Sequence, residues 1–489
     1  MKVLLINPLA QFNYKAPISP LGLLSIATAL KEKGHTVKFI NRCFDKTSLR
    51  TILNSFMPDI CGISFVSSRS ISDGMKVSKV IRNHGIPIVW GGPAASSNYQ
   101  SALETGLCDY VSIGEGEFTW IEIAAVMENH GDISRIKGLA YIGKNGLVTK
   151  NEDRPLGDLS ELPVIDWSLD DPSRYLHSYL CCRKMTYLYS SKGCLEKCTF
   201  CSNPAFHQHC YRKRPTEKVL EEVRFLIENY GLDGVYFSDE CWRIKKSDVY
   251  EFCEKIKASG LSFYWGAEAR IGLLGKEELQ TMYDCGCRWL LFGIESGSEE
   301  TLKRIKKGIS MNRIREDVRN CNAVGITTIA SLIVGYPNET TEQLMATIRL
   351  IKELNASIYA VNIFTPIVQS ELYNDLIRNG EYAPPKRFRS LEKMICAEKS
   401  QYHCDTIPLK DLKVIRDHFL WKGFTKKNTT KEGQNYEVAK TAITDTFHNL
   451  TRLGFLHLFP GMVIIGKEFF PVFWYAHFYP RIKKKYELI

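Results

Sequence analysis

Three closely spaced cysteines are the residues of this sequence whose type and spacing most clearly predict chemistry. Cys194, Cys198 and Cys201 form a C-x3-C-x2-C pattern, directly after an apolar segment at residues 186–190 that has the composition of a buried strand. Thiolates are the ligands of iron-sulfur clusters, and three of them leave one iron of a [4Fe-4S] cluster open for another ligand. The pattern therefore predicts a cluster with one exchangeable position.

A zinc site is the alternative for the same cysteines. Cys210, His207 or His209 would then supply the fourth ligand of a tetrahedral zinc ion. Zinc sites favour ligands in two-by-two spacing, whereas here the spacing is three then two, and the aromatic Phe200 precedes the last cysteine. The spacing favours iron and sulfide, while the zinc interpretation predicts a non-enzymatic metal-binding protein.

The cysteines lie in a stretch where strands and helices alternate. Its six predicted strands span residues 186–190, 234–238, 262–266, 288–293, 327–334 and 358–364. Six units fall short of a closed eight-fold barrel, so the sequence predicts an open (βα)6 partial TIM barrel with its chemistry at the C-terminal ends of the strands. The cysteine loop follows the first of these strands.

Residues 2–128 predict a separate α/β domain. Its five short apolar strands, at residues 2–7, 36–40, 59–64, 86–90 and 109–113, alternate with amphipathic segments. Such runs are typical of a parallel sheet covered on both faces, which indicates a flavodoxin-like (Rossmann-like) fold with its ligand at the carboxyl ends of the strands. A hairpin around Asn145 and Gly146 and a linker at residues 154–163 follow.

The length of 489 residues, with 44% hydrophobic and 24% charged residues, is sufficient for two or three domains with their own cores. The predicted domains are residues 1–135, 136–180 for the hairpin and linker, 181–368 for the partial barrel, and 369–489 for a mostly α-helical region. Sixteen dispersed cysteines and an N-terminus without a signal segment predict a reducing cytoplasm. The sequence contains no run of 18 apolar residues, so no membrane-spanning helix is predicted.

Further segments at the predicted strand ends resemble, in order, those of the radical S-adenosylmethionine (SAM) superfamily. The resemblance implies that Phe200 flanks the adenine of SAM, and that the motif containing Asp239 and Glu240 receives its methionyl ammonium. It also implies that Glu295 contacts the ribose hydroxyls. The implied SAM-binding residues are Phe200, Asp239, Glu240, Glu268, Arg270, Glu295, Ser331 and Gly335. A helix N-cap is the structural alternative for Asp239 or Ser238.

The first domain resembles the cobalamin (B12)-binding domain that precedes the barrel in one large radical SAM subfamily. Glycines at strand ends let the backbone approach a large ligand, and serines supply hydrogen bonds. The implied cobalamin-binding residues are Leu21, Ser64, Ser67, Ser68, Gly91, Gly92, Pro93, Gly114, Glu115, Gly116 and Glu117. No Asp-x-His-x-x-Gly pattern occurs at residues 7–14, so the lower ligand of cobalamin stays open. A docking module without cobalamin is the alternative.

The resemblance, to class B radical SAM methyltransferases, implies three cofactors: a [4Fe-4S] cluster, SAM and cobalamin. It also implies an electron donor such as flavodoxin or ferredoxin. The leading hypothesis is methylation of an unactivated carbon in a small-molecule, lipid or peptide substrate. Cyclisation, ring contraction or oxidation with the same cofactors is the second hypothesis. A tRNA methylthiotransferase is the third, and the second cysteine triad that this activity would require is missing from the N-terminal domain.

The charge pattern gives weaker information about partners. The net charge of +10 is spread along the chain and no RNA-recognition motif accompanies it, so we expect no nucleic acid partner. Residues 453–480 are aromatic and apolar, and a basic cluster follows at residues 481–485. Both core packing and an interfacial membrane anchor explain this segment. We expect a cytoplasmic protein and leave peripheral membrane contact open.

Overall fold

The structure is a computed structural model that describes residues 1–9, 18–66, 70–394, 402–425, 427–429, 435–437 and 479–488. The chain divides into two compact units, of which the first contains Ser19–Arg174 and the second contains Tyr175–Tyr373. The four predicted domain ranges stay predictions.

The first unit is built on a sheet that has seven strands among the described residues. They are β1 (Lys2–Asn7), β2 (Thr36–Asn41), β3 (Ile60–Ser64), β4 (Ile88–Gly91), β5 (Tyr110–Ser112), β6 (Leu139–Ile142) and β7 (Val148–Lys150). Their order across the sheet is β2-β1-β3-β4-β5-β6-β7, and the first five are parallel. The five predicted strands are confirmed. The predicted hairpin, β6 and β7, extends the same sheet in antiparallel pairing.

Helices cover this sheet because its strands are apolar on both faces. Strand β1, which lies between β2 and β3, shows this in four consecutive side chains, Val3, Leu4, Leu5 and Ile6, all fully buried. The helices are α1 (Leu21–Glu32), α2 (Leu49–Phe56), α3 (Ile71–Arg82), α4 (Pro93–Ser97), α5 (Tyr99–Leu103) and α6 (Glu117–Glu128). Short 3-10 helices follow along the chain at Ile133–Arg135, Trp167–Leu169, Pro172–Tyr175 and Phe388–Lys393.

The second unit is built on a curled sheet of mainly parallel strands. They are β8 (His177–Tyr179), β9 (Cys182–Leu188), β12 (Gly234–Phe237), β13 (Tyr264–Ala269), β14 (Cys287–Glu295), β15 (Thr327–Val334) and β16 (Ile358–Ile363). Their order is β16-β15-β14-β13-β12-β9-β8. Six strands in sequential parallel order confirm the predicted partial barrel. The antiparallel edge strand β8 was not predicted.

Helices alternate with these strands and cover them. Among the described residues they are α7 (Asn203–Phe206), α8 (Thr216–Tyr230), α9 (Lys246–Ser259), α10 (Lys276–Asp284), α11 (Glu299–Arg304), α12 (Met311–Val324), α13 (Thr341–Glu353), α14 (Glu371–Arg378), α15 (Leu409–Thr425) and α16 (Pro480–Lys485). Two small antiparallel ribbons join β10 (Ser191–Lys192) to β11 (Arg212–Lys213) and β17 (Lys427–Thr429) to β18 (Asn435–Glu437).

The C-terminal region is described only in part. Helix α15 packs against the edge strand β16, and the terminal helix α16 contacts α15. The buried hydroxyl of Tyr486 donates a hydrogen bond of 3.0 Å to Asp411 on α15. Most of the aromatic segment at residues 453–480 lies outside the described residues. No helix in the described part of the chain combines the length and apolar composition needed to cross a bilayer.

Candidate active site at the strand ends of the partial barrel

A cavity of about 410 Å³ lies at the strand ends of the second unit. Its lining brings together residues that are far apart in sequence. It includes the three cysteines of the motif and seven of the eight predicted SAM-binding residues: Phe200, Asp239, Glu240, Glu268, Arg270, Glu295 and Ser331. The eighth, Gly335, follows β15 and is not part of this lining.

The cysteine loop is held by its own backbone. Gly193 has a φ of +89°, and a Cβ there would lie 2.0 Å from the carbonyl oxygen of Cys210, so only glycine fits before Cys194. The amide of Cys201 donates to the carbonyl oxygen of Cys198 at 3.2 Å. The amide of Asn203 donates to the sulfur of Cys201 at 3.4 Å. The loop thus directs its three cysteines to one cavity.

The three thiols differ in electrostatic environment. The neighbouring Cys241 thiol lowers the pKa of Cys194 below its usual range. Burial raises the pKa of Cys198 and raises that of Cys201 to about 11. The ammonium of Lys307 acts in the opposite direction on both. A nearby cation therefore favours the thiolate form that a metal requires.

Asp239 is hydrogen-bonded to the base of the cysteine loop. It is 1% exposed and accepts hydrogen bonds from the amide of Ser190 at 2.7 Å, the hydroxyl of Ser190 at 2.7 Å and the hydroxyl of Ser191 at 2.5 Å. Burial nevertheless raises its pKa. The helix N-cap alternative is wrong for Asp239 and Ser238, because the next helix, α9, has Lys245 at its N-cap position.

Glu240 is the more accessible acid of this motif. Its carboxylate accepts the amide of Gly193 at 2.9 Å and lies 3.1 Å from Nε2 of His207. Burial alone would raise its pKa, but the bond with His207 and the amide of Gly193 lower it below the usual range. With 28% of its side chain exposed, Glu240 presents an ionised carboxylate to the cavity.

Glu295 and Lys307 form a buried ion pair of 2.8 Å at the cavity wall. The register of β14 against β15 shifts between Gly293 and Glu295, and Glu295 has a φ of +69°. A bulge of this kind redirects a side chain at a strand end. Lys307 also lies 6.0 Å from the ring centre of Phe200. The strained strand end therefore places a carboxylate, a cation and an aromatic ring together.

Glu268 and Arg270 extend the same wall from the end of β13. The guanidinium of Arg270 pairs with Glu196 of the cysteine loop at 3.0 Å and donates to the carbonyl oxygen of Lys307 at 2.9 Å. Glu268 lines the same cavity as Arg270. Arg270 thus joins the cysteine loop to the segment that carries Lys307.

Among the cavity residues that sequence reasoning did not assign, three have titratable side chains: Glu196, Cys241 and Lys307. Glu196 lies within the cysteine motif, and Cys241 directly follows Glu240, so proximity to these motifs was an available signal. Lys307 belongs to a basic run with Lys303, Arg304 and Lys306. Nothing in the spacing distinguishes Lys307 from those neighbours.

The donor set fits a cluster better than a zinc ion. Each thiolate of a [4Fe-4S] cluster binds a different iron, whereas zinc requires all its ligands within about 2.0 to 2.3 Å of one ion. Among the described residues, no group of three or more His, Cys, Asp or Glu side chains is close enough to hold a metal ion. Nε2 of His207, one proposed zinc ligand, contacts Glu240 instead.

The predicted cobalamin residues of the first unit lie at its strand ends and helix starts. Ser64 ends β3, Gly91 ends β4, Leu21 begins α1 and Pro93 begins α4. Gly92, Gly114, Glu115, Gly116 and Glu117 lie in or next to the turns after β4 and β5. Ser67 and Ser68, like the segment at residues 10–17, lie outside the described residues.

The ends of β4 and β5 fit a large ligand in two respects. A Cβ added to Gly91 would find its nearest neighbour, Ser112, at 3.8 Å, and one added to Gly114 would meet nothing within 4 Å. The buried hydroxyl of Ser112 has no hydrogen-bond partner among the described residues. Glycine is needed at positions 92 and 116 for a different reason. A Cβ at Gly92 would clash with the backbone of Phe65, and a Cβ at Gly116 would clash with the side chain of Ile26.

Comparisons with known proteins agree with this geometry. Residues 188–351 match the model of the radical SAM superfamily, and residues 11–124 match that of the B12 binding domain. An uncharacterized methyltransferase of Pyrococcus horikoshii is 29% identical, over 78% of this chain and 84% of its own length. An anaerobic magnesium-protoporphyrin IX monomethyl ester cyclase of Synechocystis is 26% identical over 69% of each chain. The structure of the radical SAM methyltransferase TsrM of Kitasatospora setae matches with a TM-score of 0.65 and 18% identity, over 92% of this chain and 90% of that chain, which supports the fold.

The partial barrel with its cysteine loop, together with the α/β domain of the first unit, defines the class of this enzyme. The chain belongs to the radical SAM enzymes that carry a B12 binding domain. The resemblance seen in the sequence is therefore confirmed, and with it the cofactors of the class: a [4Fe-4S] cluster, SAM and cobalamin. The electron donor and the membrane contact stay predictions.

Proposed function

We propose that this chain methylates an unactivated carbon of a small-molecule, lipid or peptide substrate. The observation that carries the proposal is the cavity, which gathers three thiols, several carboxylates and two cations at the strand ends of the partial barrel. The relative from Pyrococcus horikoshii, named a methyltransferase, supports methyl transfer as the reaction.

In this proposal Cys194, Cys198 and Cys201 hold the cluster. They are three thiols lining one cavity, and three thiolates leave the fourth iron for a ligand other than protein. Arg270 and Lys307 line the same cavity and favour the ionised form of these cysteines. The two cations thus offset part of the negative charge of a thiolate-bound cluster.

SAM binding is assigned to cavity residues whose polar groups are partly exposed, such as Glu240, or are turned by the bulge at the end of β14, such as Glu295. Glu240, ionised and partly exposed, receives the ammonium of SAM, while Glu295, fixed by Lys307, meets the ribose hydroxyls. Phe200 supplies an aromatic face for the adenine. Asp239 is 1% exposed and already accepts three hydrogen bonds, so its proposed role is to hold Ser190 and the loop that begins after it.

When bound, the cluster supplies the electron that cleaves SAM, and cobalamin supplies a carrier for the methyl group. The chain's own contribution is positioning. The small groups at Gly91, Ser112 and Gly114 leave space for cobalamin at the strand ends of the first unit. In the second unit, Phe200 and Leu291 give the cavity an apolar portion that limits water.

Cyclisation or a related radical rearrangement is the second candidate. It is favoured by a specific observation, the match to the magnesium-protoporphyrin cyclase over 69% of this chain. Both candidates use the same cofactors and the same cavity residues. Only the fate of the methyl group separates them.

The experiment follows that methyl group. Reconstituted full-length protein is incubated with deuteromethyl SAM, a reductant and fractionated small-molecule, lipid and peptide extracts, and products are examined by mass spectrometry. Methyl transfer predicts a product carrying the deuterated methyl group, together with S-adenosylhomocysteine and 5′-deoxyadenosine. A new product without label supports the second candidate. Absence of both nucleoside products from the reduced, cobalamin-loaded protein would overturn both.

A further inference from the structure

His207 is a buried residue that belongs neither to the cysteine motif nor to the SAM-binding set. It follows helix α7 and is 5% exposed, and its amide donates to the carbonyl oxygen of Asn203 at 2.8 Å. Its ring lies edge to face against the ring of Phe206, with 5.0 Å between the ring centres. Nε2 of the same ring lies 3.1 Å from Oε1 of Glu240. His207 is thus held by its own loop and reaches one acid of the cavity.

The direction of this hydrogen bond follows from the charge of Glu240. An ionised carboxylate has acceptor oxygens only, so Nε2 of His207 carries a proton and is the donor. The imidazole is shielded from water, whereas 28% of the Glu240 side chain is exposed. Hydrogen bonds to charged acceptors are stronger than those between neutral groups, and burial of the donor limits competition from water. The bond therefore restrains the carboxylate.

A second donor fixes the other oxygen of Glu240. The amide of Gly193 donates to Oε2 at 2.9 Å, so the two oxygens are held from the two ends of the cysteine loop. Gly193 directly precedes Cys194, and His207 follows Cys201. Each carboxylate oxygen has about two lone-pair positions and uses one of them for these bonds. Glu240 therefore keeps acceptor capacity toward the cavity while the position and plane of its carboxylate are set.

We propose that His207 is a positioning residue, which holds the Glu240 carboxylate in the orientation that receives the methionyl ammonium of SAM. His207 acts through Glu240, since it is not among the described residues of the cavity lining. A charge-assisted hydrogen bond depends on the geometry of its acceptor, and a carboxylate that is free to rotate loses part of that binding. The inference rests on the proposed function in taking Glu240 as the acceptor of the ammonium.

The test is SAM binding to full-length protein reconstituted with iron and sulfide, measured by equilibrium dialysis with radiolabelled SAM and without reductant. His207→Phe keeps a ring beside Phe206 and removes the N–H donor. This variant is expected to retain its iron and to bind SAM about tenfold more weakly, which is the scale of one hydrogen bond to a charged group. His207→Gln places an amide N–H near the position of Nε2 and is expected to restore most of the wild-type affinity.

Binding of 5′-methylthioadenosine separates positioning from a structural role. This compound carries the adenine and ribose of SAM but has no ammonium for Glu240 to receive. His207→Phe is therefore expected to bind it as tightly as the wild type does. Equal weakening of SAM and 5′-methylthioadenosine binding would show that the substitution distorts the whole site, and this result would overturn the inference.

His209→Asn is the control in the same loop. His209 is exposed, and asparagine tolerates its φ of +54°, so this variant is expected to keep the wild-type affinity for SAM. Unchanged SAM affinity in iron-loaded His207→Phe would overturn the inference, and so would loss of iron from both His207 variants. Glu240→Gln tests the proposed function separately. It should weaken SAM binding, and an unchanged affinity in that variant would refute the assignment of the ammonium to Glu240.

Discussion

Asp239 and Glu240 are adjacent in sequence and in the same cavity, yet they meet different partners. Asp239 is buried and accepts three hydrogen bonds from Ser190 and Ser191, whereas Glu240 keeps part of its carboxylate exposed. The sequence motif located both acids but could not divide their roles. Their different roles depend on which groups after the end of the neighbouring strand β9 hydrogen-bond to each carboxylate. Strand pairing brings these groups together, and the local sequence does not determine strand pairing.

Lys307 shows the same limit more strongly. It meets Glu295 across 12 residues of chain that include helix α11, so the pair is created by the turn of the backbone and not by spacing in the sequence. The positive φ of Glu295 was equally hidden, since glutamate has no sequence signal for that conformation.

Removing the ammonium of Lys307 tests the importance of this pair. Lys307→Met leaves the Glu295 carboxylate buried without its cation, and breaking a buried ion pair on one side costs about 3 kcal/mol. We expect that decrease in the free energy of unfolding, measured by urea denaturation. Lys306→Met is the matched control, because Lys306 pairs with Glu371 at the exposed surface, and it should change stability by about 1 kcal/mol or less. Equal effects of the two substitutions would contradict the assignment.

Among the secondary-structure elements, the long apolar strands were predictable from the sequence. The short edge strand β8 and the pairing of the hairpin with the sheet were not. The runs that became β1 and β15 are long, apolar and rich in branched side chains, which determines strand type without tertiary information. Strand β8 has three residues, His177, Ser178 and Tyr179, too few for a periodic pattern. The hairpin at Asn145 was predicted, but its pairing with β5 depends on contacts between distant segments.

Packing inside the second sheet makes Gly266 a sensitive position. A Cβ at this residue of β13 would lie 2.1 Å from Nε1 of Trp289, a fully buried ring on the neighbouring strand. Gly266→Ala is expected to lower the free energy of unfolding by about 3 kcal/mol, because the indole has no room to move. Gly22→Ala in helix α1, where a Cβ meets nothing within 4 Å, should change it by about 1 kcal/mol at most. Similar urea midpoints for both variants would contradict this packing.

The turn between β15 and α13 contains a group that titrates near neutral pH. Glu339 is fully buried, and burial raises its pKa from 4.5 to about 7, although its carboxylate accepts the amide of Gly335. Between these two values the folded chain binds a proton that the unfolded chain lacks. The resulting stability is complete below pH 4.5 and is lost as the pH rises through 7.

Glu339→Gln removes this titration. Between pH 5 and pH 8 the wild type should lose about 2.5 kcal/mol of unfolding free energy relative to the variant, as measured by urea denaturation at each pH. Parallel pH profiles of the two proteins would show that Glu339 titrates normally.

For the molecule as a whole, composition and motifs were sufficient to predict two cofactor-binding regions, the N-terminal α/β domain and the partial barrel. Two alternating strand and helix patterns, each with glycines or cysteines at strand ends, predicted both folds. The C-terminal region was not predictable beyond a helical pattern, because its aromatic residues lack a period that assigns them to a core or to a lipid surface. Helix α15 fits that pattern, while residues 438–478 lie outside the described part of the chain.

The [4Fe-4S] cluster and cobalamin are expected to bind to separate units. A Cβ at Gly91 would lie 3.8 Å from Ser112, its nearest neighbour, so the fold is expected to tolerate the Cβ of a leucine at this position. The remainder of the leucine side chain in Gly91→Leu would occupy the space proposed for cobalamin. We expect this variant to lose cobalamin and to retain iron, as measured by optical absorption and metal analysis. Full cobalamin binding by Gly91→Leu would contradict the assignment of this strand end.

The presence of the cluster and cobalamin is tested by anaerobic reconstitution with iron, sulfide and hydroxocobalamin, followed by metal and cobalamin analysis of the desalted protein. About four irons and one cobalamin per chain are expected for the wild type. Cys198→Ala should lose the iron and keep the cobalamin, whereas Cys210→Ala, a cysteine that does not line the cavity, should keep both. Zinc without iron in the wild type, or a complete cluster in Cys198→Ala, would contradict the assignment of a [4Fe-4S] cluster to these cysteines.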